Sequence, residues 1–421
     1  MSSNNNTKHN LQPKLRFPEF RDAGGWEKKK LSDLLFETRK RNRELRYSAN
    51  NVLSVSGEFG CVNQIELLGR SYAGVSVANY HIVETGDIVY TKSPLKKNPY
   101  GIIKENKGIA GIVSTLYAVY RPTELAISTY LDHYFSRDYN LNSYLQPIVR
   151  KGAKNDMKVN NTAVLGGEIW TPNRTEQKKI ANCLSSLDAL IAAQAQKVEA
   201  LKAHKKGLMQ ELFPAEGETL PKLRFPEFRD APKWEEKTIS TICHQAFSGG
   251  TPITTEKNYY GGDIPFIRSA EIAKSETELF LTKEGLSNSA ARMVGKGDVL
   301  VALYGANSGD VALSQIDGAI NQAILCLKSD YNEFIYQFLS HRKSWIVAKY
   351  IQGGQGNLSG EIVRSIKLSR PTQHEEQKRI ADCLSSLDEL ITAQSQKLDA
   401  LRQYKKGLMQ QLFPSPEDVE A

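Results

Sequence analysis

Residues 176–214 read EQKKIANCLSSLDALIAAQAQKVEALKAHKKGLMQELFP, and residues 376–414 read EQKRIADCLSSLDELITAQSQKLDALRQYKKGLMQQLFP. The second stretch follows the first by 200 positions without a gap. In the first, Ile180, Leu184, Leu187, Ile191, Gln194, Val198, Leu201, Lys205, Leu208 and Leu212 recur in alternating steps of four and three. That 3.5-residue period lays one narrow apolar seam along a helix. The second repeats it at Ile380, Leu384, Leu387, Ile391, Gln394, Leu398, Leu401, Lys405, Leu408 and Leu412. Neither run contains proline, and a helix of this length spans roughly 55 Å. Two such seams in one chain bury each other most simply. Gln194 and Gln394 lie mid-helix, so an antiparallel coiled coil lets the two polar residues meet and fix the register. The bland alternative leaves both glutamines partly exposed.

A second repeat frames the first. Residues 13–22 and 221–230 share the ten letters PKLRFPEFRD, with Trp26 and Trp234 following at matching positions. The chain therefore reads as two tandem units, each an entrance segment, a globular domain and a long helix. The prolines make the entrance segment extended, and its Phe and Trp side chains are expected to pin it to a neighbouring element.

The globular parts diverge but keep landmarks. TGDIV at 85–89 matches KGDVL at 296–300, each a tight turn into a buried strand. Residues 111–119 and 318–326 read as one further strand each. Aromatic amphipathic stretches at 130–145 and 334–350 read as helices. Glycine-containing polar loops follow at 150–155 and 352–357, and a short strand then leads to Pro172 or Pro371. The expected fold is α+β: two mixed α/β domains separated by two long helices, a pseudo-twofold tandem repeat. The corresponding boundaries are 1–173, 174–213, 214–372 and 373–421.

Composition narrows the function. The net charge of +8 fits nucleic acid without requiring it. Cys61, Cys183, Cys243, Cys326 and Cys383 lack CxxC spacing, so neither a zinc site nor a disulfide framework is expected. No apolar run reaches membrane length and the N-terminus has no signal-peptide core, so a cytoplasmic protein is the default. Signs of catalysis are weak. Asn98-Pro99-Tyr100 is one residue short of the adenine-methyltransferase tetrapeptide, and no S-adenosylmethionine loop accompanies it. Neither a GxxxxGK[ST] loop nor a histidine pair with metal spacing is present. Asp230, Glu235, Glu236 and Lys237 are too ordinary a grouping to mark a nuclease.

The duplicated helices ending in KKGLMQxLFP, the string GGTP at 249–252 with GGDIPFIRS at 261–269, and the loop GGQGNLS at 353–359 together resemble the specificity subunit of type I restriction–modification systems. The resemblance spans residues 13–414; the first domain lacks the GGTP element and departs most. It implies a non-catalytic subunit whose two target-recognition domains each read one half of a bipartite, asymmetric double-stranded DNA site. The helices act as spacers. Two methyltransferase subunits bind and methylate adenines, and two motor–nuclease subunits can join for cleavage. S-adenosylmethionine, ATP and Mg2+ then belong to the partners, and this chain holds no metal or cofactor and meets no membrane. Readers roughly 55 Å apart would span roughly 16 base pairs at about 3.4 Å each.

Candidate DNA contacts follow from residue type and loop position. In the first domain they are Lys92, Ser93, Lys96, Lys97, Asn98 and Tyr100, then Arg150, Lys151, Lys154 and Asn155; a solvated loop is the alternative for each group. In the second they are Thr251, Arg268, Ser269, Tyr304, Asn307, Ser308, Asn321, Gln322, Gln352, Gln355 and Asn357. Arg268 is placed to pair with guanine. Asn321 and Gln322 fall on a strand and could instead satisfy backbone. The charged run ETRKRNRELR at 37–46 reads as a solvated helical face. Lys178, Lys179, Lys205, Lys206, Lys378, Arg379, Lys405 and Lys406 face DNA or a partner. The shared GLMQ tails are expected to expose Met and Leu for a partner. A protein-binding adaptor is the competing reading, and it would lack the steep salt dependence of DNA binding.

Overall fold

The computed structural model describes residues 11–93, 95–151, 157–215, 217–350 and 357–414, with backbone only at 150, 151, 157 and 158. Both seam stretches are helices of 39 residues, Arg174–Leu212 and His374–Leu412. Every seam position named above is buried or half-buried, so the heptad register holds along both. The chain divides into two compact units, one from Met1–Gln194 with Lys397–Ala421 and the other Ala195–Gln396. Each long helix thus gives one half to each unit.

Within the first unit the start of one helix meets the end of the other. Ile180 and Leu184 share a core with Met409, Leu412 and Phe413, while Lys405 pairs with Asp188. Numbers rise on one helix as they fall on the other, which is antiparallel packing. The second unit repeats it with Ile380 and Leu384 against Met209, Leu212 and Phe213, and Lys205 bonds Asp388 at 2.6 Å. A fully buried leucine such as Leu184 or Leu384 contributes about 1.5–3 kcal/mol. The GLMQ tails are not exposed: Met209 and Met409 are buried, and Leu208 and Leu408 are packed on the same cores. Their apolar side chains close each unit.

The entrance segments act as straps. Arg16 donates to both carboxylate oxygens of Glu176 at 2.8 and 2.7 Å, and Trp26 Nε1 donates to the same group at 3.3 Å. Arg224, Glu376 and Trp234 reproduce this at 2.7, 2.7 and 3.2 Å. The backbone N–H of Leu15 donates to Gln411 O, and that of Leu223 to Glu211 O. Each strap therefore ties the first turn of one helix to the last turn of the other. Short strands continue it, Glu27–Lys30 against Glu168–Thr171 and Glu235–Thr238 against Lys367–Arg370.

Each globular part is built on a four-stranded antiparallel sheet. Its order is Leu35–Glu37, Ala118–Pro122, Ile88–Tyr90, Ile103–Glu105 in the first unit. In the second it is Gln245–Ser248, Ile324–Lys328, Val299–Ala302, Val311–Leu313. Gly86 and Gly297, at φ 87° and 89°, make the turns into the two GD strands as expected. Beyond this sheet His81–Val83 pairs with Gly111–Val113, and Arg292–Val294 with Gly318–Ile320.

Three local expectations change. The runs at 111–119 and 318–326 are each two strands in different sheets, broken at Ser114–Tyr117 and at Asn321–Ala323. Asn321 Oδ1 accepts the Ala323 N–H at 3.0 Å, and Tyr117 N–H reaches Ser114 O, local bonds that compete with strand pairing. The helix at 130–145 is two helices, Ser128–Phe135 and Asp138–Leu145. Ser136 Oγ bonds Asp132 O, and Arg137 is extended with its guanidinium on Phe413 O. The charged run at 37–46 is no helix but an irregular loop after a strand.

Candidate nucleic-acid interface

The two units share one place where loops of different chemistry stand on matching strands. Val119 faces Val89 and Cys326 faces Leu300 in the central strand pairs. The residue next to Val119 across the sheet is Thr38, and next to Cys326 it is Phe247. Residues 39–46 of the first unit therefore occupy the position of residues 248–255 of the second. The neighbouring strands agree, since His81 pairs with Val113 as Arg292 pairs with Ile320.

In the first unit this loop is strongly basic. Asn42, 1% exposed, organises it: its Nδ2 donates to Tyr47 O at 2.7 Å and Val77 O at 3.3 Å, and its Oδ1 accepts from Tyr47 N–H at 3.0 Å. With Asn42 inward, Arg39, Lys40, Arg43 and Arg46 are exposed. These amide bonds replace helical ones, which is why the run is not helical. Arg41 lies against His81, whose imidazole is buried and pushed down to about 4 by burial and then by the Arg41 charge. The interface therefore holds a neutral histidine at neutral pH. Charge pattern alone hid this loop, because a solvated face and a clamped basic loop have the same composition.

The loop after Ile88–Tyr90 lies beside it. Lys92 is half-buried, and burial lowers its ammonium pKa while Glu37 opposes the shift. Ser93, Lys96 and Lys97 are exposed. Asn98 is turned inward, its Nδ2 donating to Asp138 at 2.9 Å and its carbonyl accepting the Leu95 and Gly101 N–H groups. Tyr100 packs on the core, and its carbonyl accepts from Tyr90 Oη at 2.8 Å. These two residues shape the loop that presents the lysines. Arg150 and Lys151 form a short strand paired with Met157–Lys158, whereas Lys154 and Asn155 lie outside the described residues.

In the second unit Gly249-Gly250-Thr251-Pro252 fills the equivalent position. A Cβ on Gly249 would sit 1.8 Å from Ile320 O, and one on Gly250 2.6 Å from Ala290 Cβ, so this approach requires glycine. Thr251 Oγ1 donates to Gln322 Oε1 at 2.8 Å, joining two of the sequence candidates. Asn321 spends its Oδ1 on the turn that carries Gln322. Arg268 is engaged otherwise: it grips Glu271 at 2.7 and 3.0 Å and Glu278 at 2.6 Å. Glu271 is held down at about 2, first by the Arg268 hydrogen bonds. A guanine contact by Arg268 would have to displace two carboxylates. Ser269 begins the short turn beside it. Tyr304 is exposed, Asn307 is half-buried, and Ser308 Oγ donates to Leu303 O at 2.8 Å. Asn357 is exposed; Gln352 and Gln355 lie outside the described residues.

Other charged candidates are on the helices. Lys205 and Lys405 turn inward to Asp388 and Asp188, while Lys179 reaches Glu19 at 2.8 Å and Arg379 reaches Glu227 at 3.4 Å. Lys178, Lys206, Lys378 and Lys406 are exposed. Among the described residues no cluster of three metal-ligating side chains occurs, and no helix is long and apolar enough to cross a membrane.

The chain is a duplicated, helix-bounded scaffold with two unlike loop surfaces. Residues 232–403 match the family described as the type I restriction modification DNA specificity domain. A Methanocaldococcus jannaschii protein, provisionally described as a type I restriction enzyme specificity subunit, is 25% identical over 92% of both chains. Another specificity subunit of that organism is 28% identical over 43% of this chain and 44% of its own. The fold is that of the type I restriction–modification S subunit from M. genitalium, with a TM-score of 0.64, 15% identity and coverage of 96% of this chain and 100% of that one. A chain from a structure on complex assembly of the type I system aligns at TM-score 0.53 and 16% identity over 93% and 98%. Over nearly its whole length the chain is thus similar to a type I restriction enzyme specificity subunit, and residues 232–403 carry the match to the DNA specificity domain.

Proposed function

We propose that each unit reads one half of a bipartite, asymmetric site in double-stranded DNA and that the paired helices set the unread gap. The observation that carries this reading is the contrast at matching positions. One skeleton presents a basic, arginine-rich loop in the first unit and a glycine-tight Thr–Gln pair in the second. Arginine and lysine serve phosphates and guanine, whereas hydroxyls and amides serve adenine and mixed edges. The two half-sites therefore differ. The near-identical helices and straps bind two copies of one partner, a methyltransferase subunit, and the complex methylates adenine. Motor–nuclease subunits add cleavage where present. S-adenosylmethionine, ATP and Mg2+ are bound by those partners, and the complex works on cytoplasmic DNA.

The test is single-molecule methylation sequencing of host DNA with the gene present or deleted and the methyltransferase expressed throughout. A bipartite adenine-methylation motif that disappears on deletion is expected. A methylome that does not change with the gene would overturn the reading, and salt-insensitive binding of the purified complex would then favour a protein adaptor.

A further inference from the structure

We propose that Arg292 and Gln322 are the base-contacting pair of the second unit, Arg292 for a guanine edge and Gln322 for an adenine edge, with Phe247 and Thr251 as positioning residues. The assignment rests on the DNA-recognition reading above and goes beyond it by naming which side chains specify bases.

Arg292 lies on the edge strand of its sheet and is exposed. Its guanidinium carbon stands 3.8 Å from the centre of the Phe247 ring, and Phe247 is itself buried. A ring under the guanidinium restrains it through its π-face and leaves the N–H edge donors chemically available. Among the described residues Arg292 makes no ion pair, in contrast to Arg268 with its two carboxylates. A planar fork held over an aromatic ring is suited to the O6 and N7 acceptors of guanine, the commonest bidentate base contact. Nothing in the sequence marked it, because the stacking partner is 45 residues away across two strands.

Gln322 is exposed in the turn Asn321–Ala323, and the turn is held from both sides. Asn321 Oδ1 accepts the Ala323 N–H, and Asn321 O accepts the Gly249 N–H at 3.2 Å. The Thr251 hydroxyl then fixes the amide by donating to Oε1. Among the described residues that oxygen keeps a second lone pair and Nε2 keeps its donors, the acceptor–donor set that adenine N6 and N7 require. The two glycines let the Thr251 loop approach closely enough to make this bond. A reader locked by its neighbours loses less freedom on binding. Arg292 and Gln322 flank Ile320, one paired with it and the other two residues beyond, so they address neighbouring base pairs.

The full chain with its methyltransferase partner is tested by methylation sequencing for Arg292→Lys, Gln322→Ala, Thr251→Val and Thr251→Ser. Lysine keeps the charge but not the fork. Arg292→Lys is expected to relax one G·C position, and Gln322→Ala one adjacent A·T position of the same half-site. Each loses a preference on the order of 5- to 150-fold, with the other half-site and the gap unchanged. Thr251→Val should relax the Gln322 position more weakly, and Thr251→Ser should restore it. An unchanged motif overturns the pair, and so does a uniform fall in methylation at every site, which would make Arg292 a phosphate contact. Should a variant lose methylation altogether, the purified complex is titrated against duplexes differing at single base pairs. Discrimination lost at one position supports the assignment, and affinity lost equally for all sequences overturns it. Failure of the wild-type chain to confer any bipartite motif would sink the recognition reading itself, which separates the two outcomes.

Discussion

His81 and His133 sit inside the first unit at 3% and 2% exposure, each with its pKa pushed down to about 4, chiefly by burial. In the second unit Arg292 stands at the His81 position, and Gln337 takes the His133 role beside Asp388. A folded-state pKa below the unfolded value of about 6.5 means that the unfolded chain takes up protons first as the pH falls. The stability from each neutral histidine is therefore fully present above about pH 6.5 and is lost between 6.5 and about 4. The expected loss is about 1–3 kcal/mol per histidine. Urea midpoints measured from pH 7 to pH 4 should fall for the first unit, and His81→Gln should flatten part of that slope. An unaltered slope in the variant would remove His81 from the account. Such residues show what sequence alone conceals: an imidazole, a lysine or an arginine has one letter whether it is stacked, paired or free. Arg268 was singled out by its motif and Arg292 was not, yet the structure engages Arg268 with two carboxylates and leaves Arg292 over a ring.

Between elements, the most informative contact is the strap carboxylate. Arg16 and Glu176 are 6% and 1% exposed at their side chains, so the pair is buried, unlike the exposed ion pairs of the helices, which contribute little. Removing one partner from a buried pair leaves an uncompensated charge. Arg16→Met should destabilise the first unit by about 3–5 kcal/mol, and Arg16→Met with Glu176→Met should recover most of that. Urea unfolding of the full chain checks both, and equal losses in the single and double variants would contradict the pairing argument. At this level the sequence was read well where periodicity or repetition spoke. The heptads and the GD turns appear as read, whereas the duplicated PKLRFPEF segments, expected to be extended, each turn into a short 3-10 helix at Pro18–Phe20 and Pro226–Phe228. It was read poorly where side chains bond their own backbone. Asn321, Ser114 and Asn42 break or bend runs whose apolar or charged pattern looks continuous. Arg16 and Glu176 went unnoticed although both recur in the duplicates, because repetition marks importance without saying which residues touch.

In each unit the architecture was legible because the helices and entrance segments occur twice in one chain and the central sheets share landmarks; the loop surfaces were not, since they differ between copies. The helices are the common scale bar. An insertion of four residues in one of them adds about 6 Å of helix and nearly two base pairs of reach. Such an insertion between Gln194 and Val198 should lengthen the unread gap of the methylation motif and leave both half-sites as they were. Methylation sequencing reads this directly, and an altered half-site with an unchanged gap would count against the spacer role.

The division of the helices also orders events in time. The second unit is one continuous stretch, 195–396, whereas the first is built from 1–194 together with 397–421. Its core holds Met409, Leu412 and Phe413 against Trp26 and Tyr130. During synthesis the domain made first therefore waits, with its aromatic pocket open, while the later one completes its fold. A chain stalled before Met409 would hold a second unit with all of its residues and a first unit still lacking the side chains that close its core.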